Sequence, residues 1–174
     1  MKRAGLVIAA LGLFLSAQVV QAQWTPAKRL TWTSVDSFES AMAVDPTGIL
    51  HVVWAENTPG NEDVHYKKST DGGATWTTSQ RHTFTSGNSW YPSIAADSSS
   101  ILYVVWEDDT PGNSEINYRG SSDGGASWST VQRLTWNSGS SSLPDVTTDS
   151  SGNVHVFWAD DTPGNYEVYY KKGT

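Results

Sequence analysis

A period of 52 residues runs through this chain without a gap, and any fold it adopts must repeat with it. Trp24, Trp76 and Trp128 lie 52 apart, as do Trp54, Trp106 and Trp158. "RLTW" at Arg29, "RHTF" at Arg81 and "RLTW" at Arg133 coincide under the same shift. So do "HVVWAENTPGNED", "YVVWEDDTPGNSE" and "HVFWADDTPGNYE", which begin at His51, Tyr103 and His155. Repeats of this length mark arrays in which one supersecondary unit buries its apolar face against the next copy.

Within the middle unit, turn signals separate four short strand candidates. Residues 92–97 carry small side chains and one Ile, while residues 101–107 ("ILYVVWE") are apolar on both faces, as in a strand covered on two sides. Residues 115–121 alternate, with Ile116 and Tyr118 on one face. Residues 128–135 are largely polar, which suits an outer edge strand. "TPGN" between the second and third places Pro and Gly at the centre of a type II turn. Four-stranded antiparallel units of this size, with small residues innermost, predict an all-β fold: a β-propeller, here three blades, half of a six-bladed ring.

The ends of the array are complementary. "WTPAKRLT" (residues 24–31) reads as a fourth strand without its blade, and "YEVYYKK" (residues 166–172) as a third strand without its neighbour. Propellers have about 4–8 blades, so three leave an open arc. The expectation is a head-to-tail homodimer if the chain is complete, the N-terminal strand completing the last blade; the alternative is a piece of a longer array.

Residues 1–22 read as a signal peptide. Lys2 and Arg3 precede an apolar run, and Val20 and Ala22 stand at the small-residue cleavage positions. The propeller segment then spans residues 23–174, and the expected location is secreted or periplasmic. There is no Cys, hence no disulfide and no thiolate metal site. The formal charge is −7 and becomes two units more negative without Lys2 and Arg3. That argues against nucleic acid as a partner, and against a membrane once the leader is removed.

One phrase recurs within the repeat: "STDGGATW" from Ser69 and "SSDGGASW" from Ser121. It resembles the Asp box, S-x-D-x-G-x-T-W, of bacterial neuraminidase (BNR) repeats in sialidase-like propellers. The first copy matches at Ser69, Asp71, Gly73, Thr75 and Trp76. The second matches at Ser121, Asp123, Gly125 and Trp128, with Ser127 in place of Thr. The resemblance implies a structural turn between the third and fourth strands, away from the active-site face.

The resemblance also raises a glycosidase reading. A sialidase-like enzyme uses three Arg on the substrate carboxylate, a Tyr nucleophile with a Glu, and an Asp acid/base. Arg29, Arg81 and Arg133 occupy equivalent outer positions, and Arg119 is matched by Lys67 and Lys171. Tyr66, Tyr118 and Tyr170 are likewise equivalent. No residue is singled out as catalytic, because near-identical blades do not supply the asymmetry a site needs.

The candidate ligand face combines Trp32, Trp90, Tyr91 and Trp136 with Asp108, Asp109, Asp160 and Asp161. Aromatic platforms and acids suit a glycan or, with oxygen ligands, Ca²⁺. The competing reading of the acids is hairpin-tip turn chemistry, and no metal or cofactor is specifically indicated. His51 and His155 align with Tyr103 and read as packing positions. The functional expectation is an exported, non-catalytic propeller that binds a carbohydrate or protein or serves as a scaffold; the alternative is a sialidase-like glycoside hydrolase or a fragment of one.

Overall fold

The computed structural model describes residues 22–110 and 112–174. The leader expected over residues 1–22 lies, save for Ala22, outside them. Among the described residues there are eleven strands and no helix. The first sheet runs β1 (Ser37–Val44), β2 (Leu50–Thr58), β3 (Asn61–Ser69) and β4 (Gln80–Arg81) in that order. The second repeats it with β5 (Ser89–Ala96), β6 (Leu102–Asp108), β7 (Glu115–Ser121) and β8 (Gln132–Arg133). The third has three strands, β9 (Ser141–Thr148), β10 (Val154–Asp160) and β11 (Glu167–Gly173). Every pairing is antiparallel. These are β-propeller blades.

The second strand of each blade is sandwiched, and its residues supply the core together with those of the first and third strands. Val53, Val64 and Tyr66 of the first blade pack against Ile94, Val104 and Trp106 of the second. One period later, Val105 and Ile116 pack against Val146, Val156 and Trp158. Each aliphatic side chain buried in this way contributes about 1.5–3 kcal/mol. The hairpin joining the first two strands is locked by an Asp side chain in each blade. Asp45 accepts the N–H groups of Thr47 (2.9 Å) and Ile49 (3.0 Å); Asp97 and Asp149 do the same at their turns. These are Asx turns, in which a short carboxylate replaces backbone partners.

Two expectations about the strands need correction. The first strand of a blade begins earlier than its apolar residues suggest, at Ser89 rather than Pro92, because it continues through a β-bulge. The fourth strand is much shorter than residues 128–135: only Gln132 and Arg133 join the ladder. Hydroxyls replace backbone partners on either side of it. Gly120 N–H donates to Ser129 Oγ (3.0 Å) and Ile116 N–H to Thr135 Oγ1 (2.9 Å).

Residues 24–31 form no strand within one copy. They lie along the first blade, where Lys67 Nζ donates to the Leu30 carbonyl at 2.6 Å. β11 pairs only with β10, so its other edge is open.

Candidate functional site: the axial groove

β1, β5 and β9 pack side by side and form the inner wall of the arc. Each carries the same bulge at the same place, where two residues oppose one on the second strand. The bulge residue has positive φ in all three: Glu39 (53°), Tyr91 (49°) and Leu143 (52°). Side chains of this bulk seldom adopt that conformation, and its recurrence marks backbone held by its surroundings. A bulge re-aims side chains. Here residues 39–41, 91–93 and 143–145 together line an open groove of about 330 Å³.

The groove is also where the repeat breaks down chemically. Here Glu39, Tyr91 and Leu143 stand in one column, and Ala41, Ser93 and Asp145 in another; outer columns such as His65, Asn117 and Tyr169 differ too, but are not gathered about the axis. A third such column lies on the second strand, where Glu107 replaces Ala55 and Ala159.

Hydrogen bonds knit these residues across the blades. Tyr91 N–H donates to Glu39 Oε2 at 2.8 Å, and Leu143 N–H to Glu107 Oε2 at 3.2 Å. Ser93 Oγ donates to Asp145 Oδ1 at 2.5 Å. Glu39 and Glu107 thus perform the same local task, satisfying the bulge N–H of the following blade. Burial raises the Glu107 carboxyl above the usual carboxylate range, hydrogen bonds from Ser114 and Leu143 oppose this, and the charge of Glu39 adds to it. The Tyr91 phenol is raised mainly by Glu39, with burial and Glu107 contributing.

Most of the acids expected on the ligand face are occupied in turns. Asp108, 1% exposed, accepts from Ser89 Oγ (3.0 Å), Thr85 Oγ1 (3.2 Å) and the Thr110 N–H (2.9 Å). Asp160 is equally buried. Burial would raise its carboxyl, but hydrogen bonds from Thr162, Ser141 and Asn137 hold it at about 2. Asp109 accepts the Asn88 N–H and Asp161 the Ser140 N–H, each at 2.6 Å. Among the described residues, no three His, Asp or Glu side chains converge so as to hold a metal ion.

The aromatics divide. Tyr91 lines the groove, and Trp90 beside it is half-buried. Trp32, Phe84 and Trp136 are exposed, and each lies under the guanidinium of the Arg three residues before it, at 4.7, 4.9 and 5.9 Å from the ring centroid. The second–third strand turns do meet the loops that carry these rings: Asn61 Nδ2 donates to the Gly87 carbonyl at 2.6 Å, and Asn113 Nδ2 to that of Gly139.

No arginine lines the groove. Arg81 pairs with Asp63 at 2.8 Å and Arg133 with Glu115, both on the outer half of a blade. Arg119 donates to the carbonyls of His82 and Ser129, each at 3.1 Å.

The turn from Ser69 to Trp76 is built around Asp71. Its Oδ1 accepts the Thr75 N–H (2.8 Å) and Ser69 Oγ (2.7 Å), and its Oδ2 accepts Thr75 Oγ1 (2.5 Å). Hydrogen bonds from Thr75 and Ser69 hold this carboxyl at about 2. Asp123 has the same partners in Ser127 and Ser121. Trp128 then packs edge-on against Tyr66 and His82 of the preceding blade, at 5.2 and 4.5 Å between centroids. Gly125 is needed there, because a Cβ would lie 2.1 Å from the Tyr66 hydroxyl and φ is 79°.

Sequence reasoning reached Tyr91 but missed Glu39, Ser93, Glu107, Leu143 and Asp145. A signal was present, though outer columns share it: at these positions the aligned units differ in chemistry.

No protein-family model matches the chain, and no curated protein does. Solved structures do match. An α-L-arabinanase from Penicillium chrysogenum, complexed with arabinobiose, superposes with a TM-score of 0.60 at 16% identity, over 78% of this chain and 46% of that one. An endo-arabinase from Bacteroides thetaiotaomicron gives 0.60 at 14%, over 84% and 59%. An intramolecular trans-sialidase from Ruminococcus gnavus gives 0.51 at 16%, over 80% and 32%. The chain spans about half the length, or less, of these structures. At such identities the likeness is one of fold alone, that of the β-propeller.

Proposed function

We propose that the protein is an exported, non-catalytic propeller module that binds a neutral saccharide in its axial groove. The carrying observation is that two columns in which the blades differ in chemistry line the groove side by side, with a third, that of Glu107, hydrogen-bonded to it. A scaffold alone needs no such differences, whereas a ligand without the protein's symmetry requires them. Glu39 and Asp145 offer carboxylate oxygens to sugar hydroxyls, and the exposed Tyr91 and Leu143 offer the apolar surface on which a sugar ring lies. With carboxylates and no arginine in the groove, an anionic sugar is disfavoured. The two arabinanases among the structures of like fold support a neutral saccharide, while the trans-sialidase supports a saccharide only in general. The turns at Ser69–Trp76 and Ser121–Trp128 serve, in this reading, as Asp boxes that hold the blades and touch no ligand.

The second reading is a glycoside hydrolase, and one observation favours it. Glu107 is a buried carboxyl whose proton is held more tightly than usual, within electrostatic range of Glu39 and Tyr91. Such a pairing of acids is what glycosidases use. Calorimetry against neutral oligosaccharides, arabino-oligosaccharides first, separates the two. Binding is expected without product formation, and Tyr91→Ala and Asp145→Ala should each weaken it at least about tenfold, ~1.4 kcal/mol. Product release abolished in Glu107→Gln would establish the hydrolase instead, and unchanged affinity in both groove variants would end the axial-site reading.

A further inference from the structure

The two ends of the arc carry the halves of a joint that the molecule already makes twice. In the first joint, Val64 is 0% exposed beneath the second blade; in the second joint, Ile116 is 0% exposed beneath the third. Val168 holds that position in the third blade and is 80% exposed. On the opposite flank, Ile94 and Val146 are 6% and 5% exposed, while their counterpart Met42 is 61% exposed. Apolar side chains of this size, left open on both flanks of a protein that buries their equivalents, mark an interaction surface.

Charge follows the same spacing. Arg81 and Arg133 each pair with an acid on the third strand of their own blade, Asp63 and Glu115. One period back lies Arg29, and one period forward lies Glu167. Among the described residues neither has an ion-pair partner.

A cavity supplies a third sign. Trp128 is held by Tyr66 and His82, and the residues one period later, Tyr118 and Leu134, line a pocket of about 260 Å³. In the same tryptophan column stands Trp24, which is 91% exposed. Lys67 holds its segment beside the first blade through the Leu30 carbonyl, repeating the contacts of Arg119 with His82 (3.1 Å) and of Lys171 with Leu134 (3.0 Å). Residues 24–31 therefore already lie where the outer strand of a preceding blade belongs.

We propose that these residues complete the third blade of a second copy, and that two copies close a six-bladed ring. The register follows from His65 opposite Arg81, Asn117 opposite Arg133, and Tyr66 and Tyr118 opposite Gln80 and Gln132. Arg29 of one copy lies opposite Tyr169 of the other and pairs with its Glu167; Lys28 lies opposite Tyr170. The Thr31 hydroxyl accepts the Val168 N–H, as Thr83 accepts that of Val64 at 2.9 Å. Trp24 enters the Tyr118–Leu134 pocket. Six is the one multiple of three within the ~4–8 blades of known propellers. Twofold closure also covers both flanks and the open edge of β11, which an unclosed contact would leave free to propagate. The competing occupant is a further unit of a longer repeat array. None of this depends on what the groove binds.

Light scattering and sedimentation of the purified protein at micromolar concentration should give twice the mass of one chain and nothing larger. A folded monomer would overturn the proposal in favour of an occupant from elsewhere, and an open series of oligomers would overturn the closure. Arg29→Glu and Glu167→Arg should each weaken the dimer at least about tenfold, and the two changes in one chain should restore it. Single variants that dimerise like the parent, or a double variant that stays monomeric, would defeat the register. A mixture of Lys28→Cys and Tyr170→Cys proteins should form a disulfide-linked heterodimer, since the chain has no cysteine of its own. Cross-linking within either variant alone, or none in the mixture, counts against the joint.

Discussion

His82 shows how one side chain can depart from its repeat at a cost. Its counterparts are Leu30 and Leu134, yet the imidazole is buried between Tyr66 and Trp128 with neither ring nitrogen hydrogen-bonded to the protein. Burial, reinforced by Arg119 and His65, holds its pKa at about 3, against ~6.5 for a free imidazole. The unfolded chain therefore takes up a proton below pH ~6.5 that the folded chain refuses. The stability concerned is complete above that pH and is lost as pH falls toward 3. His82→Leu should stabilise the fold by about 1–3 kcal/mol by removing an unsatisfied buried polar group. Its advantage over the parent in urea melts should widen from pH 7 to pH 4; a constant advantage would contradict the assigned protonation. Asp71 works in the same direction over a lower window. Its carboxyl sits at about 2 when folded and ~3.9 when free, so its contribution is full above pH ~4 and declines toward pH 2. Asp71→Asn should melt below the parent at pH 6, and the gap should narrow as pH drops through that window.

At the scale of elements, the third strand of the second blade runs over residues 115–121 as its alternation indicated, because alternation reports a strand with one covered face. The first and fourth strands were harder to read. Nothing in "SWYPSI" announces that Tyr91 takes positive φ, since the bulge is imposed by the neighbouring strand and by Glu39 from another blade. The fourth strand is shortened by hydroxyl-to-backbone bonds from Ser129 and Thr135, which propensity cannot foresee. The site was legible only in part for a related reason. Matching residues drew attention to the repeat's shared acids, which turned out to be turn locks, whereas the groove is lined by columns that do not match. Contacts between blades give a direct test. Gly125 and Gly73 occupy equivalent turns with φ of 79° and 89°, but only Gly125 faces a tyrosine within its own copy. Gly125→Ala should therefore lower the melting temperature more than Gly73→Ala, and the second change should chiefly weaken self-association, because Gly73 would face the partner copy's Tyr170. Equal melting losses, with association unaffected, would show that backbone strain alone is at work.

For the molecule as a whole, the open arc makes stability a matter of concentration. If the third blade is completed by another copy, folding and association are linked, and the melting temperature should rise with protein concentration. Scans over a hundredfold dilution series check this, and a constant melting temperature would mean that one arc stands alone. Arg29→Glu should flatten the dependence. The inner-strand bulges acquire a further meaning in the closed ring. Glu39, Tyr91 and Leu143 differ from one another, so the ring has sixfold architecture but only twofold chemistry at its axis. Each constellation then appears twice, on opposite walls of one channel. A small saccharide would bind with a stoichiometry of two per ring, never three or six. A polymer threading the axis would meet the same wall twice in the same sense, because a rotation about the axis leaves the axial direction unchanged, so the ring would keep two unlike mouths and could tell one chain direction from the other.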